Sequence, residues 1–144
     1  MNKFQFGQSP DEKSCGWRCL YFLMPEDMTY NAFLERFKYL QPIKKGIMLS
    51  NISSILGYHG IKTTYTIPTG SGTYCIWVRS KKWNFLGGHF FVYKDGYVYD
   101  SLEDDCYKLS VVKLVKLLET TNRKNSFVCM RLNEKDIDIN RKLH

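Results

Sequence analysis

Cys15 stands out among the chain's five cysteines because of what surrounds it. A thiol becomes a nucleophile when its pKa is lowered, a base lies within hydrogen-bond reach, and donors await the oxyanion. Cys15 opens the run CGWRCLYFLM, which reads as a helix. Unpaired backbone N–H groups and the macrodipole at a helix start favour a thiolate. Gly16 follows, leaving room for a substrate carbonyl to approach. Gln8, seven residues upstream, can place a neutral amide beside that carbonyl and donate to an oxyanion without pairing with the thiolate. Cys19 is four residues on, but no second Cys/His pair completes a zinc set, so neither a metal site nor a cofactor is expected. Cys19, Cys75 and Cys129 read as buried, reduced thiols. Cys106 lies beside Asp104 and Asp105, whose charges disfavour a thiolate.

Three histidines are available as a base. His144 is the last residue of the sequence, and His59, in GYHGIK, reads as a surface turn residue. His89 opens an aromatic strand after two glycines. The segment HFFVYK-DG-YVYD (89–100) is a hairpin signal, since Asp-Gly between aromatic strands suits a two-residue turn. With Asp95-Gly96 as the turn, Lys94 pairs with Tyr97 and Phe91 with Asp100. Alternation then puts His89, Phe91 and Asp100 on one side. Asp100 becomes the diagonal neighbour of His89, about 7–8 Å away between Cα atoms. Such a carboxylate would fix the imidazole tautomer, favour the imidazolium and leave the other nitrogen for Cys15. A one-residue slip would undo this.

The segment QSPDEKSCGWRCLYFL (8–23) resembles the Gln-to-Cys-Gly stretch of adenovirus-type maturation proteases and their SUMO-protease relatives. Gly88 to Tyr93 and Tyr99-Asp100-Ser101 are similar to the His-aromatic and Asp-Ser strands of those families. Their order is His, Asp, Gln, Cys, whereas here Gln8 and Cys15 come first. That order is similar to papain and to bacteriocin-leader peptidases, which also have a Gly-Ile strand start like Gly60-Ile61. The resemblance covers roughly residues 8 to 105. It implies a papain-like fold, a Gln8–Cys15–His89–Asp100 site and a protein or peptide substrate. The absence of ABC-transporter motifs weighs against a leader peptidase acting on its transporter.

Other elements must position these residues. Helices are expected after Thr29, with Tyr30, Phe33, Leu34 and Phe37 on one face, and over 49–56, with Gly57 as the stop. Ser14 or Asp11 is expected to cap the first helix. Strands are expected at 61–67, 74–79, 89–94, 97–100 and 126–132, and a fourth helix over 110–121. Residues 133–144 are charged and expected to fray. Helices first and strands after give an α+β class, with amino-terminal helices packed on a mainly antiparallel sheet.

At 144 residues the chain fits one domain spanning 1–144. No apolar run reaches the roughly 20 residues of a membrane span, and residues 1–8 lack the apolar stretch of a signal peptide. An intracellular location, host cytoplasm or virion for a viral enzyme, is the expectation. The net charge of +7 is concentrated in residues 29–100, which carry +6. That basic middle is compatible with nucleic acid as a partner, or with a solvated lysine surface. No nucleic-acid-binding motif is present. The residues thus point to a cysteine peptidase, with a viral maturation protease as the leading role. A ubiquitin- or SUMO-like deconjugating enzyme and an inactive papain-fold binding module are the alternatives.

Overall fold

The computed structural model describes residues 2–40, 46–79, 88–121, 127–133 and 135–136. Four helices and six strands follow one another as α1 (Cys15–Leu23), α2 (Tyr30–Phe37), α3 (Leu49–Tyr58), β1 (Thr63–Tyr65), β2 (Thr73–Val78), β3 (His89–Lys94), β4 (Tyr97–Tyr99), β5 (Tyr107–Lys108), α4 (Val111–Thr121) and β6 (Phe127–Leu132). The strands form one antiparallel sheet in the order β1-β6-β2-β3-β4-β5. The α+β class and the antiparallel sheet are as expected from the sequence. Among the described residues, no helix is long and apolar enough to cross a membrane.

The hairpin register is the one that Asp-Gly dictates. Lys94 pairs with Tyr97, Tyr93 with Val98 and Val92 with Tyr99. Asp95 and Gly96 both have positive φ, 48° and 88°, the pairing that a two-residue turn needs to match strand twist. Asp95 adds a bond of its own, accepting from the Gly72 N–H at 3.1 Å. This register brings the start of β3 and the end of β4 together, away from the turn.

Helix α1 is not amphipathic in place. Every residue of it except Arg18 is buried, as befits a helix apolar on nearly all sides. Its Trp17 packs edge-on to Phe33 of α2, and Cys19, Leu20 and Phe22 share a core with Cys75, Phe90, Val92 and Met130 of the sheet. Leu114 and Leu118 of α4 seal the other face over Tyr74, Ile76, Phe91 and Tyr93. The sheet is therefore sandwiched between helices, with the nucleophile candidate on its most buried helix.

The start of α2 is the expected one, and other boundaries differ from expectation for identifiable reasons. Thr29 caps α2, its hydroxyl accepting from Ala32 N–H. Helix α3 runs past Gly57 to Tyr58, and the chain leaves it at Gly60, whose φ of +83° is the left-handed stop. Neither Ser14 nor Asp11 caps α1. Ser14 is the N-cap residue without a side-chain cap bond, its hydroxyl donating to Glu12 instead, and Asp11 accepts from Ser9. Asn133 and Asp136 are tied to β1's approach, since Asn133 N–H bonds the Lys62 carbonyl and Asp136 accepts from Lys62 N–H. The remaining tail, with His144, and the basic residues Lys44, Lys45, Lys81 and Lys82 lie outside the described residues.

Candidate active site

The site lies where β3 begins, β4 ends and α1 starts. His89 is fully buried, and its Nε2 lies 2.7 Å from Asp100 Oδ1. Asp100, 2% exposed, is held by a second bond, accepting from the Leu102 N–H at 3.0 Å through the same oxygen. With Nε2 committed to the carboxylate, Nδ1 is the nitrogen left for the thiol. Burial disfavours a charged His89, but hydrogen bonds to Asp100 and to Cys15, and the charges of both, outweigh it and raise its pKa to about 9. The structure thus brings Cys15, His89 and Asp100 together.

Gln8 is placed differently from the simplest expectation. It is buried at 5% exposure and is not one of the cleft-lining residues. Its backbone N–H donates to the Ser101 carbonyl at 2.6 Å, and its Oε1 accepts from the Ser101 hydroxyl at 2.5 Å. The Glu12 carbonyl, which can only accept, decides which end of the amide is the donor. One N–H of Nε2 donates to the Glu12 carbonyl at 2.9 Å, and an amide nitrogen carries two donors. Asp100 and Ser101, adjacent in sequence, therefore orient His89 and Gln8 respectively.

Arg18 is the residue that sequence reasoning missed. It donates to the Gln5 and Phe6 carbonyls at 3.1 and 2.8 Å, to the Ser14 hydroxyl at 2.9 Å and to Glu12 at 3.1 Å. It thereby ties the arm bearing Gln8 to the helix bearing Cys15. The available signal was a lone charge inside an apolar helix, six residues after a glutamate.

Gly16 lines the cleft beside Cys15. A Cβ there would lie 2.5 Å from Ile47 Cγ2 and 3.1 Å from Phe90 Cδ2, so its bare backbone also lets those two side chains pack close. Gly88 has φ +99°, and a Cβ on it would lie 2.4 Å from the Trp77 indole nitrogen. The ring thus lies against the backbone just before His89.

The other thiols are built into the core. Cys19, Cys75 and Cys129 are buried and all five cysteines are free. Burial, then a hydrogen bond to Cys75, pushes the Cys19 thiol well up, and burial pushes Cys129 up to about 12, so both are held as inert thiols. His59 ends α3, half-buried, with Nδ1 3.5 Å from Glu26. Among the described residues, no group of three His, Cys, Asp or Glu side chains could hold a metal ion.

The cleft beside Cys15 has a volume of about 850 Å³, near the upper end for ligand pockets. Residues 10–13 form one wall and Ile47, Met48 and Leu49 another, while Trp77, Gly88 and Phe90 lie on the sheet side.

The raised pKa of His89 links stability to pH. A folded-state value near 9, above the ordinary 6.5, means its contribution is complete below about pH 6.5 and lost as pH rises through 9. Thermal unfolding between pH 6 and 10 is expected to show a decline of up to roughly 3 kcal/mol that His89→Gln lacks. Parallel curves for the two proteins would contradict the charged pairing. No protein-family model, curated protein or solved structure matches the chain.

Proposed function

We propose that the chain is a thiol peptidase of papain-like fold, working by acyl transfer. The observation that carries this reading is the buried His89, bonded to Asp100 at 2.7 Å through Nε2 and coupled to Cys15 through its other side. A buried imidazole held by a carboxylate is the partner that a thiol nucleophile needs. Cys15 Sγ attacks a backbone or isopeptide carbonyl carbon, and the oxygen takes the negative charge. The Cys15 backbone N–H and the remaining Gln8 N–H are the intended oxyanion donors, the latter after a shift of the arm toward the cleft. His89 gives its proton to the departing amine, leaving a thioester. It then takes a proton from water, whose oxygen attacks the thioester and releases the acid and Cys15.

Brief iodoacetamide treatment at neutral pH, followed by peptide mapping, tests this reading. Cys15 is expected to label fastest of the five thiols, and His89→Ala to slow it, since the variant removes the base beside the thiol. Faster labelling of Cys106 or Cys19 would overturn the assignment. Electrophilic probes built on peptides and on ubiquitin-like proteins then separate a peptidase from a deconjugating enzyme, and reaction with neither favours a binding module.

A further inference from the structure

Among the described residues, the sheet face under α1 is not covered to its end. Phe90, Trp77 and Val128 are direct cross-strand neighbours on β3, β2 and β6. Tyr65 of β1 pairs with Met130, two residues along β6 from Val128, so it shares their face. Exposure climbs along this row away from α1, from 6% at Phe90 to 37% at Val128 and 58% at Tyr65. Met48, 68% exposed, stands over it from the start of α3. All five line the same cleft as Cys15.

An apolar row of this size on a sheet face is normally buried by a helix. Here it begins beside the candidate nucleophile and, among the described residues, stays open. Trp77 is seated by backbone, since the room its indole takes against Gly88 is room no side chain could share. An aromatic fixed in this way forms a rigid floor at little further entropic cost.

We propose that this shelf is the specificity subsite of the cleft, and that it takes a bulky apolar side chain of the substrate, such as Phe, Leu or Met. The proposal rests on Cys15 being the nucleophile, because that is what makes the cleft's occupant a substrate. An extended peptide presents alternate side chains to one side, so a chain laid past Cys15 sets one of its residues near the bond to be cut onto the row. A Gly-Gly tail would leave the row bare, which separates this substrate class from that of a deconjugating enzyme.

The test uses the full chain with Cys15→Ala, so that peptides bind without turnover, and calorimetry with capped hexaglycine carrying one Phe at each position in turn. One position of Phe is expected to bind roughly 10- to 100-fold tighter than hexaglycine or its Asp counterpart. Val128→Lys and Tyr65→Lys, at exposed strand positions where folding is checked by circular dichroism, are expected to abolish that preference. Equal binding of the Phe, Asp and glycine peptides, or no binding by any, overturns the subsite. So does a Phe preference that survives both lysines. Iodoacetamide labelling of the unmodified chain reports separately on the nucleophile. Fast Cys15 labelling with indifferent peptide binding would leave the peptidase standing without this subsite. Slow labelling with a lysine-sensitive Phe preference would leave the shelf as a binding groove and remove the peptidase.

Discussion

Replacing Asp100 by asparagine is expected to lower turnover about 100-fold while leaving the fold intact. Oδ1 of Asp100 accepts from both His89 and the Leu102 N–H, and an asparagine can keep its oxygen on those two donors. What it cannot keep is the charge. The bond to Asp100 and its charge are among the causes that hold His89 near a pKa of 9, and a downward slide of about two units is about 100-fold in the equilibrium constant that forms the imidazolium from the neutral ring. The alkaline limb of the rate profile should move down with it. Asp100→Ala removes orientation as well, and a larger loss, on the order of 10⁴-fold, is expected, as for the triad aspartate of serine enzymes. His89→Ala and Cys15→Ala should abolish turnover. Asp95→Asn is the control, because asparagine tolerates positive φ and can still accept from Gly72 N–H. Reporter-peptide rates for these variants, with circular dichroism as the folding check, decide the matter. Wild-type turnover by Asp100→Asn, with an unmoved alkaline limb, would reduce the site to a Cys–His dyad.

Gly88→Ala is expected to destabilise the protein by about 2–6 kcal/mol. Two costs combine there. A side chain at φ +99° is backbone strain of about 1–3 kcal/mol. The new Cβ would also meet three atoms of the Trp77 indole at 2.4–2.7 Å, and such overpacking costs about 1–3 kcal/mol more. Because Trp77 must move, its fluorescence should change in the same variant. Gly57→Ala, at a helical position with open space beside it, should instead be neutral or stabilising by up to about 1 kcal/mol. Urea denaturation of the two variants reads both effects, and equal midpoints would contradict the contact between Trp77 and the backbone before His89.

What could be read from the sequence follows the range of the forces involved. The β3–β4 register rests on two residues of turn chemistry, and it came out as written, with Asp100 beside His89. Element types for α1 to α4 and for β2, β3, β4 and β6 were equally local. Strand β5 was not visible, because Tyr107-Lys108 has neither length nor pattern and pairs only through Tyr97 and Val98. The insertion of β6 between β1 and β2 is a choice among distant partners that periodicity does not encode. Gly57 reads as the stop of α3 by type, and only backbone geometry places the left-handed stop at Gly60 instead. At the site, the types and spacing of Cys15, His89 and Asp100 carried enough information to bring them together. The bonds of Gln8 to Ser101, and of Arg18 to the arm, depend on side chains meeting across the fold.

The pairing of Gln8 with Ser101 spans 93 residues, and this bears on the order of assembly. Helix α1 and the Asp-Gly hairpin are local and can form early. The contact between the arm and the end of β4 must wait for a long loop to close, a step whose entropy is repaid only once the sheet is in place. On the proposed reading, Cys15 sits on the first of these pieces, while its base His89 and the Ser101 partner of Gln8 both sit beyond residue 88. A half-made chain would then carry the thiol without either, and the proposed site would be complete only once folding has joined its two ends.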